Sequence, residues 1–284
     1  MKIRKCKKSD IQKLFKLDRL LEEHPWNRRS KENWIWKYFG KNPAGKSIFY
    51  IALQNSKILA SFAAIPIHYN LNGKKILASH SISMMVHPKW QNRGLIKYVV
   101  EKVLEQSKKK KLSFVYGYPN NRAYHLHKDQ FGYEDVFEQI TYGVKKKNFL
   151  KKKSEVSQKN FKIKVINLFK EELDLFFHNE KKKFDISVYK SSKFLNWRYL
   201  SRPDHKYFCY GVYDYNKKLK AYFILKKYKD LYSTKTHIVD YLYNDQNKLE
   251  LCKLIIEKSA ELAFKKFNSN EITLWCNSDI CMQR

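Results

Sequence analysis

The segment from Val86 to Tyr98, VHPKWQNRGLIKY, constrains the fold of this chain most strongly. A short apolar, strand-like run ends before Pro88, whose ring nitrogen cannot donate a ladder hydrogen bond. Gly94 then precedes a helical pattern in which apolar residues recur every four positions from Leu95 onward. The segment therefore predicts a strand, a sharp turn and a helix in direct succession.

The turn at Gln91–Gly94 has the composition of a phosphate-binding site. Backbone N–H groups at a helix N-terminus attract anions. Gly94 lets the backbone approach an anion that a Cβ atom would keep at a distance. Arg93 adds a fixed positive charge with several hydrogen-bond donors. The sequence therefore predicts a ligand that carries phosphate.

The composition indicates a globular protein of one large domain or two ordinary ones, with 284 residues and 43% hydrophobic residues. No apolar run reaches 18 residues, so no membrane span is expected. The N-terminus lacks the apolar core of a secretion signal. The cysteines show neither zinc nor redox spacing. We therefore expect a cytoplasmic protein without a metal, and with free thiols at Cys6, Cys209, Cys252, Cys276 and Cys281.

The net charge of +31 suits an anionic partner, but its distribution is diffuse. Lysines occur in nearly every segment and do not form a single block. We interpret most of this charge as a solvated surface, so nucleic acid is not the expected partner. Such a surface would still steer a polyanionic cofactor toward the protein.

The first half of the chain predicts two helices, four antiparallel strands, a helix, a strand, a short helix and a last strand. Ser30 is placed to cap the second helix, and Asn72-Gly73 is a strong hairpin turn. The last strand is expected to end at Tyr142. The charge run KKKNFLKKK then predicts an exposed linker. The expected organisation is a first domain at 1–144, a basic linker at 145–160 and a second lobe at 161–284.

The second half repeats the pattern of the first. Residues 191–224 align without a gap on residues 30–63, and Trp197 and Tyr199 fall on Trp36 and Tyr38. The turn YLYNDQNKLELCK, however, has no glycine and no arginine. We therefore expect a second lobe without the phosphate site. This lobe lacks a counterpart of residues 121–142, so either its sheet edge is covered differently or the chain is short relative to its relatives.

Two sequence signatures together resemble the GNAT superfamily of N-acetyltransferases. The first is a strand that ends in Val-x-Pro, followed by Gln91-Asn92-Arg93-Gly94-Leu95-Ile96, in which Ile96 replaces the usual Gly or Ala. The second is Asn120 after the next strand, followed by a short helix and Gly132-Tyr133. The combination resembles a subgroup linked with bacterial surface-polysaccharide loci.

The resemblance implies an α/β (α+β) fold with a mixed, mostly antiparallel sheet flanked by helices. It also implies acetyl-CoA as acyl donor, with the pyrophosphate on the N–H groups of residues 91–96. The pantetheine arm would pair with the backbone of β-strand residues, and an asparagine would orient it. The implied cofactor-binding residues are Met84, Met85, Val86, Gln91, Asn92, Arg93, Gly94, Leu95, Ile96, Asn120 and Asn121.

The catalytic residues are less clearly indicated. Many family members protonate the leaving thiolate with a tyrosine four residues before the Gly-aromatic pair, where this chain has Lys128. Tyr124 is the first candidate for this acid, and His127 is the second. His80 on the central strand is the main candidate for the base, because its ordinary pKa lies near neutral pH.

The remaining site residues have open alternatives. His87, Glu134 and Glu138 are other candidates for the base. The acceptor is expected between the lobes near the first two helices, where aromatic side chains would line its pocket. The candidates for this lining are Trp26, Trp34 and Trp36.

The expected function is transfer of an acetyl group from acetyl-CoA to a primary amine, with a nucleotide-linked amino sugar as the acceptor that the subgroup resemblance suggests. Two alternatives stay open. One is an aminoacyl-tRNA-dependent transferase of the peptidoglycan-bridge type, which is also built from paired lobes. The other is a non-catalytic scaffold that binds CoA or nucleic acid.

Overall fold

The computed structural model describes residues 1–21, 30–149 and 160–276. The chain divides into two compact units, Met1–Asp135 with Lys181–Tyr189 and Val136–Glu180 with Lys190–Arg284. Trp26, Cys281 and most of the expected linker lie outside the described residues. Among the helices that are described, none is long and apolar enough to cross a membrane.

The elements follow the order that the sequence pattern predicts through most of the chain. Those up to His125 are β1 (Lys2–Lys5), α1 (Ile11–Leu20), α2 (Lys31–Phe39), β2 (Ile48–Gln54), β3 (Lys57–Leu71), β4 (Lys74–Val86), α3 (Leu95–Lys109), β5 (Val115–Tyr116) and α4 (Asn121–His125). Those after it are β6 (Ile140–Lys145), α5 (Lys146–Phe149), β7 (Lys162–Val165), α6 (Glu171–Glu180), β8 (Ile186–Val188), α7 (Ser192–Leu195), β9 (Tyr207–Tyr213), β10 (Leu219–Lys229), β11 (Thr234–Tyr243), α8 (Lys248–Glu261) and β12 (Glu271–Cys276).

The first unit contains a sheet in the order β1-β2-β3-β4-β5, in which only β4 and β5 are parallel. The predicted cap of α2 is present, since Ser30 Oγ accepts a hydrogen bond from the backbone N–H of Asn33 at 3.0 Å. Asn72 and Gly73 adopt φ angles of 48° and 82°, which a tight hairpin turn requires. Helix α3 buries Val99, Val100 and Val103 completely against this sheet.

The second unit contains a sheet in the order β6-β12-β11-β10-β9-β7, in which only β11 and β12 are parallel. Helix α8 packs on one face, where Phe223, Leu225 and Leu251 are completely buried. The two units thus each hold a mostly antiparallel sheet flanked by helices, and the predicted fold class is confirmed.

The edge of the second sheet is covered by a strand that sequence analysis assigned to the first lobe. Strand β6 pairs antiparallel with β12 from Ile140↔Cys276 to Lys145↔Glu271. It therefore belongs to the second unit, and the boundary between the units falls after Asp135. Pairing of this kind satisfies the N–H and C=O groups that an open edge would expose. The alternation pattern of a strand does not say which sheet it joins.

A reciprocal exchange occurs in the first unit. Strand β8 pairs with the end of β3 from Tyr69↔Val188 to Leu71↔Ile186. The fully buried side chain of Asn70 secures the arrangement, because its Nδ2 donates to the carbonyl oxygens of Lys181 and Phe184, both at 2.9 Å. Each unit therefore contains a segment that lies beyond its simple sequence boundary.

Candidate functional site

Strands β4 and β5 diverge after only two paired residues, Ser79↔Val115 and His80↔Tyr116. Ser81 Oγ donates to the carbonyl oxygen of Tyr116 at 3.0 Å, just beyond the last pair. Beyond its last pair with β5, β4 continues for the six residues 81–86, whereas β5 ends at Tyr116. We call the opening between residues 81–86 and the chain after Tyr116 the fork. The predicted strand at 112–118 is thus much shorter in the structure.

A bulge in β4 lies beside the fork. Ser61 pairs with Met85 but Ala63 pairs with Ile82, so β4 has one residue more than β3 over this stretch. Ser83 adopts φ 56°, which is rare for a side chain with a Cβ atom. Its carbonyl oxygen accepts from Ser61 Oγ at 3.0 Å, and its hydroxyl shares a hydrogen bond with the hydroxyl of Tyr38. Since Ser83 lies within an ordinary apolar run, no sequence signal identifies the bulge.

The turn before α3 has the backbone form that the sequence predicts for anion binding. Asn92 and Gly94 adopt φ angles of 60° and 68°, and Gly94 is the N-cap of the helix. No described side chain caps this end, so first-turn N–H groups are available to a ligand. Gln91–Gly94 is exposed, and the Arg93 guanidinium lies 5.4 Å from the centre of the Trp90 ring.

Two residues of the predicted pyrophosphate segment have buried side chains. The side chains of Leu95 and Ile96 are buried in the core beneath α3, with 5% and 7% of their surface exposed. The branched side chain of Ile96 therefore occupies the core and does not lie on the exposed side of the turn. The departure from the family pattern at this position is accommodated by packing.

The other predicted cofactor residues have mixed surroundings. Met84 and Val86 pack partly against the core under α3, and Met85 is buried. Asn120 caps α4, because its Oδ1 accepts from the N–H of Ala123 at 3.0 Å. Asn121 is the exposed first residue of that helix.

His80 stands at the base of the fork within a cluster of aromatic rings. Its imidazole stacks on Tyr116, with ring centres 5.0 Å apart and planes 10° from parallel. Tyr118 meets the imidazole edge-on at 5.9 Å, and Tyr69 meets Tyr116 at 5.4 Å. Burial raises the pKa of Tyr118 and of Tyr69, so both hydroxyls keep their protons at neutral pH. Sequence analysis missed this cluster, although aromatic residues alternate at 114, 116 and 118.

Tyr124 belongs to an exposed group with a lysine and an aspartate. Its hydroxyl donates to Asp135 Oδ2 at 2.7 Å, and Lys128 Nζ donates to the same hydroxyl at 3.3 Å. Lys128 and Asp135 also form an ion pair at 2.6 Å. Lys128, which occupies the usual acid position, thus contacts Tyr124, the candidate acid. Their spacing of four residues, about one helical turn, was the sequence signal for this contact.

His127, the second candidate acid, is a core residue with 7% of its surface exposed. Its Nδ1 lies 2.7 Å from the carbonyl oxygen of Ala123, so this nitrogen carries the proton and donates. Tyr133 packs edge-on against the imidazole at 4.8 Å, and Phe131 does so at 6.3 Å. The structure therefore separates His127 from the exposed Tyr124 group.

These features lie in the part of the chain that matches a known domain. The model for the "Acetyltransferase (GNAT) domain" matches residues 2–136. The matched segment ends within one residue of the boundary between the two compact units. A comparison with curated protein sequences found no match.

Solved structures resemble the chain beyond the matched segment, over both units. A conserved protein of unknown function from Enterococcus faecalis, described as a probable N-acyltransferase, has a TM-score of 0.71 at 16% identity over 97% of this chain and 65% of its own. A GCN5-related N-acetyltransferase from Anabaena variabilis has a TM-score of 0.70 at 13% identity, over 98% and 66% of the two chains. The present chain thus spans just under two thirds of the length of these two proteins.

A more distant fold relative is the N-myristoyltransferase of Saccharomyces cerevisiae with bound myristoyl-CoA. Its TM-score is 0.60 at 15% identity, over 96% of this chain and 72% of its own. These likenesses establish the fold of the chain. Among the described residues, no group of three or more His, Cys, Asp or Glu side chains is arranged to hold a metal ion.

Proposed function

We propose that the protein transfers an acetyl group from acetyl-CoA to a primary amine by direct attack of the amine on the thioester. The observation that carries the proposal is the uncapped, left-handed turn before α3, next to the fork in a GNAT domain. The turn suits a pyrophosphate, and the fork suits an extended arm. Both features adjoin the end of β4, as a single elongated donor requires.

The residues present fit coenzyme A. The N–H groups of residues 91–96 and the Arg93 guanidinium would hold the pyrophosphate. The backbone at Met84, Met85 and Val86 would hold the pantetheine arm along the fork, with Asn120 or Asn121 orienting it. The bound donor supplies an activated thioester carbonyl. Backbone N–H groups at the bulge are suited to stabilise negative charge on the carbonyl oxygen.

His80 is our candidate for the base that takes the proton from the acceptor ammonium. It lies beside the fork, and stacking on Tyr116 restrains its ring in one plane. A base that is held in place contributes more than a mobile one, since orientation is fixed before the reaction. His87, Glu134 and Glu138 remain the alternatives.

Tyr124 is our candidate for the acid that protonates the leaving thiolate, and His127 is the alternative. The hydroxyl of Tyr124 has Lys128 Nζ within 3.3 Å, so an ammonium group lies beside the proposed acid. The burial of His127 supports Tyr124 over it. Activity of a Tyr124→Phe variant at the level of the wild type would remove Tyr124 from this role.

The acceptor proposal is a nucleotide-linked amino sugar of surface-polysaccharide synthesis, in the cytoplasm. It rests on the resemblance of the second signature alone, together with a basic surface that attracts anionic acceptors. The duplicated-lobe proposal has further support in the shared order of helix, three strands, helix and parallel strand in the two units.

The decisive experiment measures thiol release with acetyl-CoA and longer acyl-CoAs against a panel of amines. The panel contains amino sugars with and without a nucleoside diphosphate, amino acids and peptides. We expect turnover with acetyl-CoA and a preference for the nucleotide-linked amino sugar. A preference for myristoyl-CoA would contradict the acetyl donor, and a preference for peptides would contradict the sugar acceptor.

The same samples separate the two alternative functions. Turnover with aminoacyl-tRNA but not with any acyl-CoA would replace the proposal with a peptidoglycan-bridge type of transferase. CoA binding measured by calorimetry without turnover on any amine would replace it with the scaffold. The fork would then bind CoA without catalysing acyl transfer.

A further inference from the structure

The hairpin of β10 and β11 ends in an exposed apolar turn that the acyl-transfer proposal does not use. We call this turn, Asp230–Ser233, the tip. Tyr232 has 91% of its surface exposed and Leu231 has 58%. Single exposed apolar side chains are common on protein surfaces, but an adjacent pair at the end of a hairpin marks a candidate docking surface.

Hydrogen bonds hold the tip in one conformation. Asp230 Oδ1 accepts from the backbone N–H groups of Tyr232 and Ser233 at 2.9 and 2.8 Å. The N–H of Asp230 donates to the carbonyl oxygen of Ser233 at 3.0 Å. The Asp230 carboxylate also pairs with Lys235 Nζ at 3.0 Å. The tip is therefore ordered before it meets a partner, which lowers the entropy cost of docking, and its negative charge is already paired.

Two exposed lysines lead into the tip on β10. Lys227 and Lys229 are two positions apart on one strand, so their side chains emerge on the same face of the sheet. Lys229 is the register partner of Thr234, the first residue of β11. Both lysines thus lie beside the tip in space as well as in sequence.

A second group of lysines reaches the same end of the sheet from a distant part of the sequence. Glu271, the first residue of β12, is the register partner of Lys145 on β6, and the N–H of Asn270 donates to the carbonyl oxygen of Thr234 at 2.7 Å. Lys145 is thus two strands from β11, or about 10 Å. Lys145 and Lys147 are exposed. The start of the run KKKNFLKKK therefore belongs to the sheet end that carries the tip.

We propose that this end of the second unit docks on an anionic lipid bilayer. Leu231 and Tyr232 enter the headgroup region. Lys145, Lys227 and Lys229 contact the lipid phosphates around them. Tyrosine is enriched at membrane–water interfaces, because its ring is apolar and its hydroxyl reaches water. The neighbouring leucine adds apolar area, and each lysine near the surface adds electrostatic attraction.

The chemistry of the tip favours lipid over nucleic acid. Proteins hold single strands through aromatic rings that stack on the bases, and an aliphatic side chain has no such role. In a bilayer interface, by contrast, Leu231 contributes as much as its buried area allows. The surface lies entirely within the second unit and is independent of the donor site proposed in the first.

The test measures binding of the full chain to vesicles by sedimentation. Vesicles of phosphatidylcholine that contain phosphatidylglycerol should bind the protein, and pure phosphatidylcholine vesicles should bind it much less, since the attraction is partly electrostatic. Added salt should weaken binding to the anionic vesicles. Equal binding to both kinds of vesicle, or binding to neither, would overturn the proposal.

Because the chain is basic throughout, variants decide whether the tip is responsible. Leu231→Ser combined with Tyr232→Ser should weaken binding about tenfold or more, because it removes the apolar contact. Lys229→Gln should weaken it about fivefold, the usual contribution of one lysine near an anionic surface. The matched controls lie in the turn between β9 and β10, at the opposite end of β10, where Tyr215→Ser and Lys218→Gln should leave binding unchanged. Equal losses at the two ends would refute the assignment.

Fluorescence quenching tests which turn enters the bilayer. Tyr232→Trp should bind anionic vesicles at least as tightly as wild type, since tryptophan also favours the interface. Lipids brominated in the upper part of their acyl chains should quench this variant more than Tyr215→Trp, whose added ring stays in water. Equal quenching of the two variants would contradict the proposal. Binding to transfer RNA that is tighter than binding to vesicles, and that the double serine variant abolishes, would overturn it in favour of a nucleic-acid surface.

Discussion

The two units place a histidine at corresponding positions with different neighbours. His80 lies opposite Ile65 in the register of β3 and β4, and His237 lies opposite Lys226 in the register of β10 and β11. When the ungapped alignment of the two halves is extended by two residues, Ile65 falls on Lys226. The apolar partner of His80 therefore corresponds to the charged partner of His237. His80 stacks on Tyr116, whereas His237 Nδ1 bonds Thr273 Oγ1 at 2.7 Å.

Each unit also has a tyrosine hydroxyl that hydrogen-bonds a strand of its sheet, and the two bonding partners differ chemically. We call these two contacts, Tyr38–Ser83 and Tyr199–Asp240, the braces. Tyr38 and Tyr199, which the duplication aligns, each direct a hydroxyl to the second strand of a long hairpin, β4 or β11. Tyr38 reaches Ser83, and Tyr199 reaches Asp240 at 2.9 Å. Tyr38 thus bonds a neutral hydroxyl, whereas Tyr199 bonds a carboxylate that is ion-paired with Lys190. The comparison teaches that the same tyrosine contact accepts either a neutral or a charged partner.

The largest expected effect concerns the two histidines. His80→Gln should lower kcat about 10²- to 10⁴-fold with little change in CoA affinity, because it removes the proposed base and leaves the donor site intact. His237→Gln is the matched control and should leave kcat unchanged. The measurement is steady-state kinetics with the best amine from the panel. A similar loss in both variants would indicate a structural role for the two positions.

The second prediction concerns the two braces. Asp240→Ala should lower the free energy of unfolding by about 3–5 kcal/mol, since it leaves the half-buried Lys190 ammonium without its partner. Ser83→Ala should cost only about 1 kcal/mol, the usual loss of one neutral hydrogen bond. Urea unfolding of both variants provides the comparison. Equal losses would show that charge does not distinguish the two regions.

The third prediction concerns the turns that precede α3 and α8. Gly94→Glu should weaken CoA binding about 100-fold or more, because it adds a negative charge and strains the backbone at φ 68°. Gln246→Glu changes the charge of the other turn by the same amount and should not affect CoA binding. Calorimetric titration with CoA measures both. If Gly94→Glu bound CoA as tightly as wild type, the proposed pyrophosphate site would be wrong.

The smallest expected effect is a pH dependence that is larger in the second unit, although burial also lowers the pKa of His68 on β3 in the first unit. Burial lowers the pKa of His237 to about 4, and the charge of Lys226 contributes. The unfolded chain therefore takes up the proton first, and stability should fall as the pH drops from about 6.5 to about 4. In the first unit, the hydrogen-bonded Arg4 lowers the pKa of Asp10, so this ion pair persists below that range.

Hydrogen exchange as a function of pH measures the two units separately. Protection of β10 and β11 should decrease between pH 6.5 and 4, and protection of β2 and β3 should change less. His237→Gln should reduce the decrease in the second unit. A uniform loss of protection over both sheets would show that the histidine environments do not set the acid response.

Much of the fold follows from local patterns that the sequence displays directly. The hairpin at Asn72-Gly73, the cap at Ser30 and the apolar stripe of α3 each depend on neighbouring residues only. The turn at Gly94 is of the same kind, since a helix start with glycine and arginine carries its chemistry in four residues. These features were predictable because their free energies are set over short stretches of chain.

The assignment of strands to sheets was not predictable in the same way. β6 and β8 have patterns that fit an edge of either sheet, and long-range pairing decides between them. The bulge at Ser83 and the packing of His80 on Tyr116 likewise depend on residues far apart in the sequence. The same holds for the burial of His127, which sequence alone presented as a candidate acid.

The sequence by itself determined the elements, the fold class and the position of the turn at Gly94, because propensity, periodicity and turn chemistry act locally. The tertiary structure alone decided which strands close each sheet and which titratable groups share a neighbourhood. Only the fold could show that Lys226 lies opposite His237 while Ile65 lies opposite His80. Electrostatic interaction depends on distance in space, and that distance is fixed only when the chain has packed.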